Sequence, residues 1–167
     1  VAQIHEFKTN MGCGDDLNLT KMYLSVIIPA YNEAKRIGKT LKSVLMAKKS
    51  FRDPSLIEII VVNNNSTDNT GKIAKGFGAK VVSEKERRIA SVRNKGAMVS
   101  DGEIIGFLDA DSLVTENIFN SIDSAMSSGK YIGGGTDIKF SRMSLGLFCT
   151  LYITVIPFRW LLGVAGG

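Results

Sequence analysis

Leu24-Ser25-Val26-Ile27-Ile28 and Ile57-Glu58-Ile59-Ile60-Val61-Val62 are two apolar, β-branched runs, each followed by a polar turn and then by a segment of mixed character. Runs with almost no charge suit strands that are covered on both faces of a parallel sheet. Pro29 is expected to end the first. Beyond Tyr31-Asn32-Glu33, the residues Ile37, Leu41, Val44 and Leu45 recur at helical spacing, with Lys35, Arg36, Lys39 and Lys42 between them. That pattern predicts an amphipathic helix lying on the sheet. After the second run, Asn63 to Thr67 form a polar turn able to cap a helix whose inner face is Ile73, Ala74 and Phe77. Gly78 suits the left-handed position at the end of that helix. Lys80-Val81-Val82 reads as a third strand, Ile89 to Ser100 as a helix, and Glu103 to Leu108 as a fourth strand. A last helix carries Ile118, Phe119, Ile122, Ala125 and Met126 on one side. Strands alternating with helices in this way predict an α/β fold: an open, mostly parallel, Rossmann-like nucleotide-binding sheet with helices on both faces. Such sheets bind ligands beyond the carboxyl ends of their strands, where Tyr31, Asn63 to Ser66 and Asp109 to Asp111 all fall.

With 167 residues, 44% of them hydrophobic, the chain can bury one ordinary core. The expected organisation is a flexible extension over residues 1–21 and one nucleotide-binding domain over residues 22–167, incomplete at its C-terminus. The formal net charge of +5 suits a nucleic acid, an anionic membrane or a phosphate-bearing substrate. Lys85-Glu86-Arg87-Arg88 and Arg93-Asn94-Lys95 hold much of the excess without the interleaved aromatic residues that base stacking needs, so no nucleic acid partner is expected. Cys13 and Cys149 give no disulfide framework, and reduced thiols point to the cytoplasm. His5 is the sole histidine, which excludes a histidine-based zinc site and a serine-histidine triad, so any metal must be held by oxygen. Leu145 to Val164 is apolar but broken by Pro157. It reads as a buried or interfacial helix pair, with peripheral contact at the inner face of the membrane, in preference to a span.

Asp109 and Asp111 stand two residues apart just past a strand, so in extended backbone their side chains point the same way while Ala110 turns aside. Two carboxylates without histidine or thiolate suit a hard divalent ion, Mg2+ or Mn2+, completed by water and substrate phosphate. The competing reading makes Asp111 a cap for the next helix; the position at a strand end favours the ion. Asn63 to Asp68 occupy the corresponding place after the second strand, and six polar side chains exceed what one cap requires. An amide there can hydrogen-bond the edge of a base. Tyr31 offers a face on which a base stacks, or else a packed ring. Arg93 or Arg88 can meet a diphosphate, whereas Arg87 and Lys95 read as solvated. Gly38-Lys39-Thr40 is no phosphate loop, because Glu33 stands where the earlier glycine is needed. Gly133-Gly134-Gly135 lies in a strand-like stretch and opens no helix, so it is no dinucleotide fingerprint.

Four blocks together resemble the inverting glycosyltransferases of family 2, which have the GT-A fold. They are Ser25 to Glu33, Val61 to Thr70, Ala90 to Ala97 and Gly106 to Asp111, in that family's order and spacing. The resemblance implies that Pro29, Tyr31 and Glu33 line the base and ribose of a nucleoside-diphosphate sugar of UDP or GDP type, and that Asn64 meets the base edge. It further implies that Arg93 lies near the diphosphate, that Asp109 approaches the ribose and metal, and that Asp111 ligates the metal. Family members commonly carry aspartates where this chain has Asn63 and Asn64, which bears on the choice of nucleotide. The implied reaction is attack by a hydroxyl of a carbohydrate or lipid-linked acceptor on the anomeric carbon, with nucleoside diphosphate leaving. The general base is expected beyond Gly167, and Asp137 is not a convincing substitute. Two other readings stay open: a nucleotidyltransferase, disfavoured by the absent glycine-rich basic loop, and a non-catalytic or membrane-associated donor-binding module.

Overall fold

A computed structural model describes residues 23–135. The chain divides into two compact units, Val1–Ser128 and Gly129–Gly167, a division that falls inside the single domain expected over residues 22–167. The first unit holds every described helix and strand: β1 (Leu24–Ala30), α1 (Ile37–Lys49), a 3-10 turn at Pro54–Leu56, β2 (Ile57–Asn63), α2 (Thr70–Gly76), β3 (Lys80–Ser83), α3 (Ile89–Met98), β4 (Ile104–Phe107) and α4 (Ile118–Ser127). The strands form one parallel sheet in the order β3-β2-β1-β4. The chain therefore moves outward from β1 to β3 and then returns to the other side of β1. This reversal makes the carboxyl ends of β1 and β4 the place where a crevice opens.

Alternation along the strands sorts the core into two layers. Leu24, Val26, Ile28 and Ala30 of β1 join Ile57, Ile59 and Val61 of β2 beneath α1, with Ala74 of α2 and Phe119 of α4 in the same cluster. Ile27, Ile60 and Val62 face the opposite way, against Val92 of α3. Helices thus cover both faces, as expected. Each fully buried side chain of this kind contributes on the order of 2 kcal/mol. Gly96 sets how closely α3 can approach: a Cβ there would stand 2.3 Å from Ile27 Cγ2.

Pro29 does not end β1, which runs on to Ala30. The carbonyls of Tyr23 and Ile27 accept from Ile104 and Leu108, so odd-numbered residues of β1 turn their backbone groups toward β4. The N–H that Pro29 lacks would therefore point past Phe107, where β4 has already stopped, and no ladder bond is lost. β4 stops at Phe107, short of the expected Leu108, and unlike β1 and β2 it leaves side chains in the open, with Ile105 and Phe107 exposed. Gly78 takes the left-handed position at φ 79°; its N–H donates to Lys75 and that of Ala79 to Ala74, closing α2 with a Schellman pair. On α4, Phe119 is buried but Ala125 is exposed. In the second unit, Gly133 to Gly135 are irregular backbone where a strand was expected. No helix among the described residues is long and apolar enough to cross a membrane. Leu145 to Val164, Asp137, both cysteines and His5 lie outside the described residues.

Candidate functional site

The turn after β1 and the turn after β2 are laced together. Three successive backbone N–H groups of the first turn are received by side chains of the second: Asn32 donates to Ser66 Oγ (3.0 Å), Glu33 to Thr70 Oγ1 (2.8 Å) and Ala34 to Asp68 Oδ2 (3.1 Å). Asn32 answers with its own side chain, whose Oδ1 accepts the Thr67 N–H at 2.9 Å. Asn32 and Asn65 both sit at positive φ (53° and 55°), a conformation that asparagine tolerates better than other side-chain-bearing residues. Asp68 also accepts from the N–H and hydroxyl of Thr70. The Thr70 hydroxyl bond is the main cause that holds the Asp68 carboxyl below the usual aspartate range; burial opposes it, and backbone bonds from Thr70 and Ala34 add to the lowering. Most of the polar run therefore shapes the loop.

Asn64 is nearly buried, and its amide nitrogen donates to the carbonyls of Glu84 (3.0 Å) and Glu86 (2.7 Å). It fastens the loop entering α3, and the polar atom it retains for a ligand is Oδ1. Tyr31 is 43% exposed at the rim, with the Arg87 guanidinium 5.0 Å over its ring. Arg87, read from sequence as solvated, is exposed and also lies over this ring as a cation on an aromatic face. Arg88 instead pairs with Glu86, whose carboxyl is held below its ordinary range first by a hydrogen bond from Ser91 and then by Arg88.

At the end of β4, Asp109 and Asp111 flank Ala110, which is buried. Their side chains are 68% and 48% exposed. Arg93, from the middle of α3, lies over the Phe107 ring at 5.5 Å and reaches Asp109 at 3.6 Å. Arg36, at the mouth of α1, makes a two-pronged bond to Glu33 (2.8 and 3.0 Å) and stands 3.5 Å from Asp111. Both contacts to the aspartates are longer than a direct charged hydrogen bond, so neither carboxylate is tightly held by a cation. The backbone between them is held: the buried Thr40 hydroxyl donates to the Ala110 carbonyl at 2.8 Å, and Ser43 Oγ accepts the Val114 N–H at 3.2 Å.

The expected residues Pro29, Tyr31, Glu33, Asn64, Arg93, Asp109 and Asp111 all lie at or just beyond the carboxyl ends of β1, β2 and β4, with Arg93 reaching over from α3. Arg36 and Thr40 were not foreseen. For Arg36 a signal exists in the Glu33-x-x-Arg36 spacing at a helix entrance; for Thr40 the sequence holds only a hydroxyl on an otherwise apolar helical face. Among the described residues no three carboxylate, histidine or thiol groups cluster. A divalent ion would accordingly draw at most two protein carboxylates and take its other oxygens from phosphate and water, a donor set that fits Mg2+ or Mn2+.

The model of the family described as glycosyl transferase family 2 matches residues 25–141, spanning all four strands and both aspartates. The chain belongs to glycosyl transferase family 2. Glycosyltransferase GlyG of Streptococcus pneumoniae is 31% identical over 105 residues, which are 59% of this chain and 33% of that protein. Among solved structures, S. aureus TarS 1-349 is 25% identical with a TM-score of 0.60, over 71% of this chain and 39% of TarS. The mannosyltransferase PcManGT of Pyrobaculum calidifontis, in complex with GDP-Man and Mn2+, is 26% identical with a TM-score of 0.53, over 62% of this chain and 32% of that one. The chain thus spans about a third of the length of the relatives it matches. The family 2 assignment confirms the resemblance and the parallel α/β architecture together.

Proposed function

We propose that this chain is the donor-binding part of a glycosyltransferase that moves a sugar from a nucleoside-diphosphate sugar to an acceptor hydroxyl with the help of a divalent metal. The observation that carries this reading is the pair of exposed, loosely partnered carboxylates, Asp109 and Asp111, held on a fixed backbone beside the crevice between β1 and β4. The nucleotide fits with its base against Tyr31, under Arg87, and its ribose beside Pro29 and Glu33. Asn64 Oδ1 would accept an N–H of the base, which a uracil or a guanine can each supply. Arg93 and Arg36 would bind phosphate oxygens, since guanidinium matches them in two-pronged geometry. Asp111, with Asp109, would hold Mg2+ or Mn2+, a Lewis acid that stabilises negative charge developing on the departing diphosphate. The relative bound to GDP-Man and Mn2+ supports this choice of ligands. These residues serve binding and departure. Activation of a carbohydrate or lipid-linked acceptor falls to groups outside this set.

Thermal shift and calorimetry with UDP, GDP and their sugars, each with and without Mn2+, test the reading. Wild-type chain should bind one diphosphate more tightly with the ion, and Asp111→Ala should abolish that enhancement. Binding that needs neither Mn2+ nor Asp111 would sink it.

A further inference from the structure

The side chain of Thr40 is out of place by ordinary helix logic. It sits in the middle of the buried stripe of α1 with Ile37, Leu41 and Val44, only 1% exposed, where an aliphatic residue would pack as well and favour the helix no less. A hydroxyl buried among apolar groups must find a partner, and threonine within a helix commonly turns back to the carbonyl four residues earlier. This one leaves its own helix. Oγ1 donates across 70 positions of sequence to the carbonyl of Ala110 at 2.8 Å, the middle residue of the acidic triplet.

The consequences fall on the two aspartates. Ala110 is 5% exposed, so its carbonyl has little access to water, while Asp109 and Asp111 stand out into solvent with arginines no closer than 3.6 and 3.5 Å. Nothing tight at the carboxylates themselves sets their direction; the peptide units on either side of Ala110 do. One of those units ends in the Thr40 bond, and the chain just beyond is fixed again by Ser43, which accepts the Val114 N–H and donates to the Thr40 carbonyl at 2.8 Å. The same helix begins directly after Glu33 and Arg36, so it joins the base side of the crevice to its acidic side.

We propose that Thr40 is a positioning residue of the metal site: its hydroxyl, acting through the Ala110 carbonyl, sets the orientation of Asp109 and Asp111 and thereby the gain in nucleotide affinity that a divalent ion provides. The proposal rests on the donor-site reading above. A merely structural threonine would lower the melting temperature and leave that gain alone.

The test is calorimetric titration of UDP into the 167-residue chain with and without Mn2+, for wild type, Thr40→Val and Thr40→Ser, with melting temperatures measured free of both ligands. Metal-free UDP affinity should be nearly the same in all three. The Mn2+-dependent gain should shrink in Thr40→Val, in line with a loss of roughly 10- to 100-fold in metal affinity, as when other groups that orient metal ligands are removed, and Thr40→Ser should recover most of it. An undiminished gain in Thr40→Val overturns the proposal while leaving the donor site standing. No gain in wild type with UDP, nor with GDP in its place, overturns the donor-site reading and the proposal with it. If Thr40→Val does not fold, Thr40→Ser and Thr40→Cys compare a strong donor with a weak one: a smaller gain with Cys supports the proposal, equal gains overturn it.

Discussion

At the amino-terminal rim of the sheet Ser25 is wholly buried, donates to Glu58 and accepts the Gly102 N–H at 2.9 Å, while at the carboxyl rim Asp109 and Asp111 face solvent and touch arginines only at 3.5 to 3.6 Å. Glu58, itself almost covered, also accepts the Asp101 N–H at 2.6 Å, and Lys80 lies 3.9 Å from it and 3.5 Å from Asp101. The first network is closed on itself, the condition under which buried polar groups hold a fold. The second has capacity to spare. One sheet thus carries a latch at one rim and, at the other, the site proposed to receive a ligand, and substitutions should separate stability from binding according to the rim they touch.

The largest loss of stability is expected from Gly102→Ala, whose Cβ would stand 2.4 Å from Ser25 Oγ and 2.6 Å from its backbone nitrogen. Because the backbone must move, the cost should be about 3 kcal/mol in urea unfolding, with metal-dependent UDP affinity unchanged once folded. Ser25→Ala comes next, at about 2 kcal/mol, since it strips a partner from both Glu58 and Gly102. A drop in UDP affinity without a drop in stability would break the comparison. Asp68 gives a smaller, pH-dependent effect. Its folded-state pKa is depressed, so its contribution is complete above the ordinary aspartate value of about 4 and is lost as pH falls through the folded value. The difference in melting temperature between wild type and Asp68→Asn should therefore be flat near neutrality and close in acid; a gap that widens in acid would contradict the lacing of the two turns. Asp111→Ala should move the unfolding midpoint least, within about 0.5 kcal/mol, while removing the metal effect altogether.

The strands were legible because each is a short apolar run bounded by polar turns, and the order of secondary elements follows from that alone. The end of β1 was not, because a proline ends a strand only if its missing N–H faces a neighbour, and the early stop of β4 is a property of the pair. The acidic pair was legible from its place after a strand. Thr40, Arg36 and the two donor bonds of Asn64 were not, since each joins elements far apart in sequence or depends on which way a loop folds back. Asn64 shows the difference plainly: its polarity suggested a ligand, yet both amide bonds go to the chain.

The lacing of the first two turns also decides what can neutralise a bound anion. Nucleotide folds with glycine-rich loops cradle phosphate in a nest of free peptide N–H groups. Here Pro29 has no N–H, and those of Asn32, Glu33 and Ala34 are already taken by Ser66, Thr70 and Asp68. Those three successive groups are not free to form such a cradle. In the proposed complex the charge of a diphosphate is met by the guanidinium groups of Arg36 and Arg93 and by an ion brought in from solution, which makes ion supply a determinant of how tightly it binds.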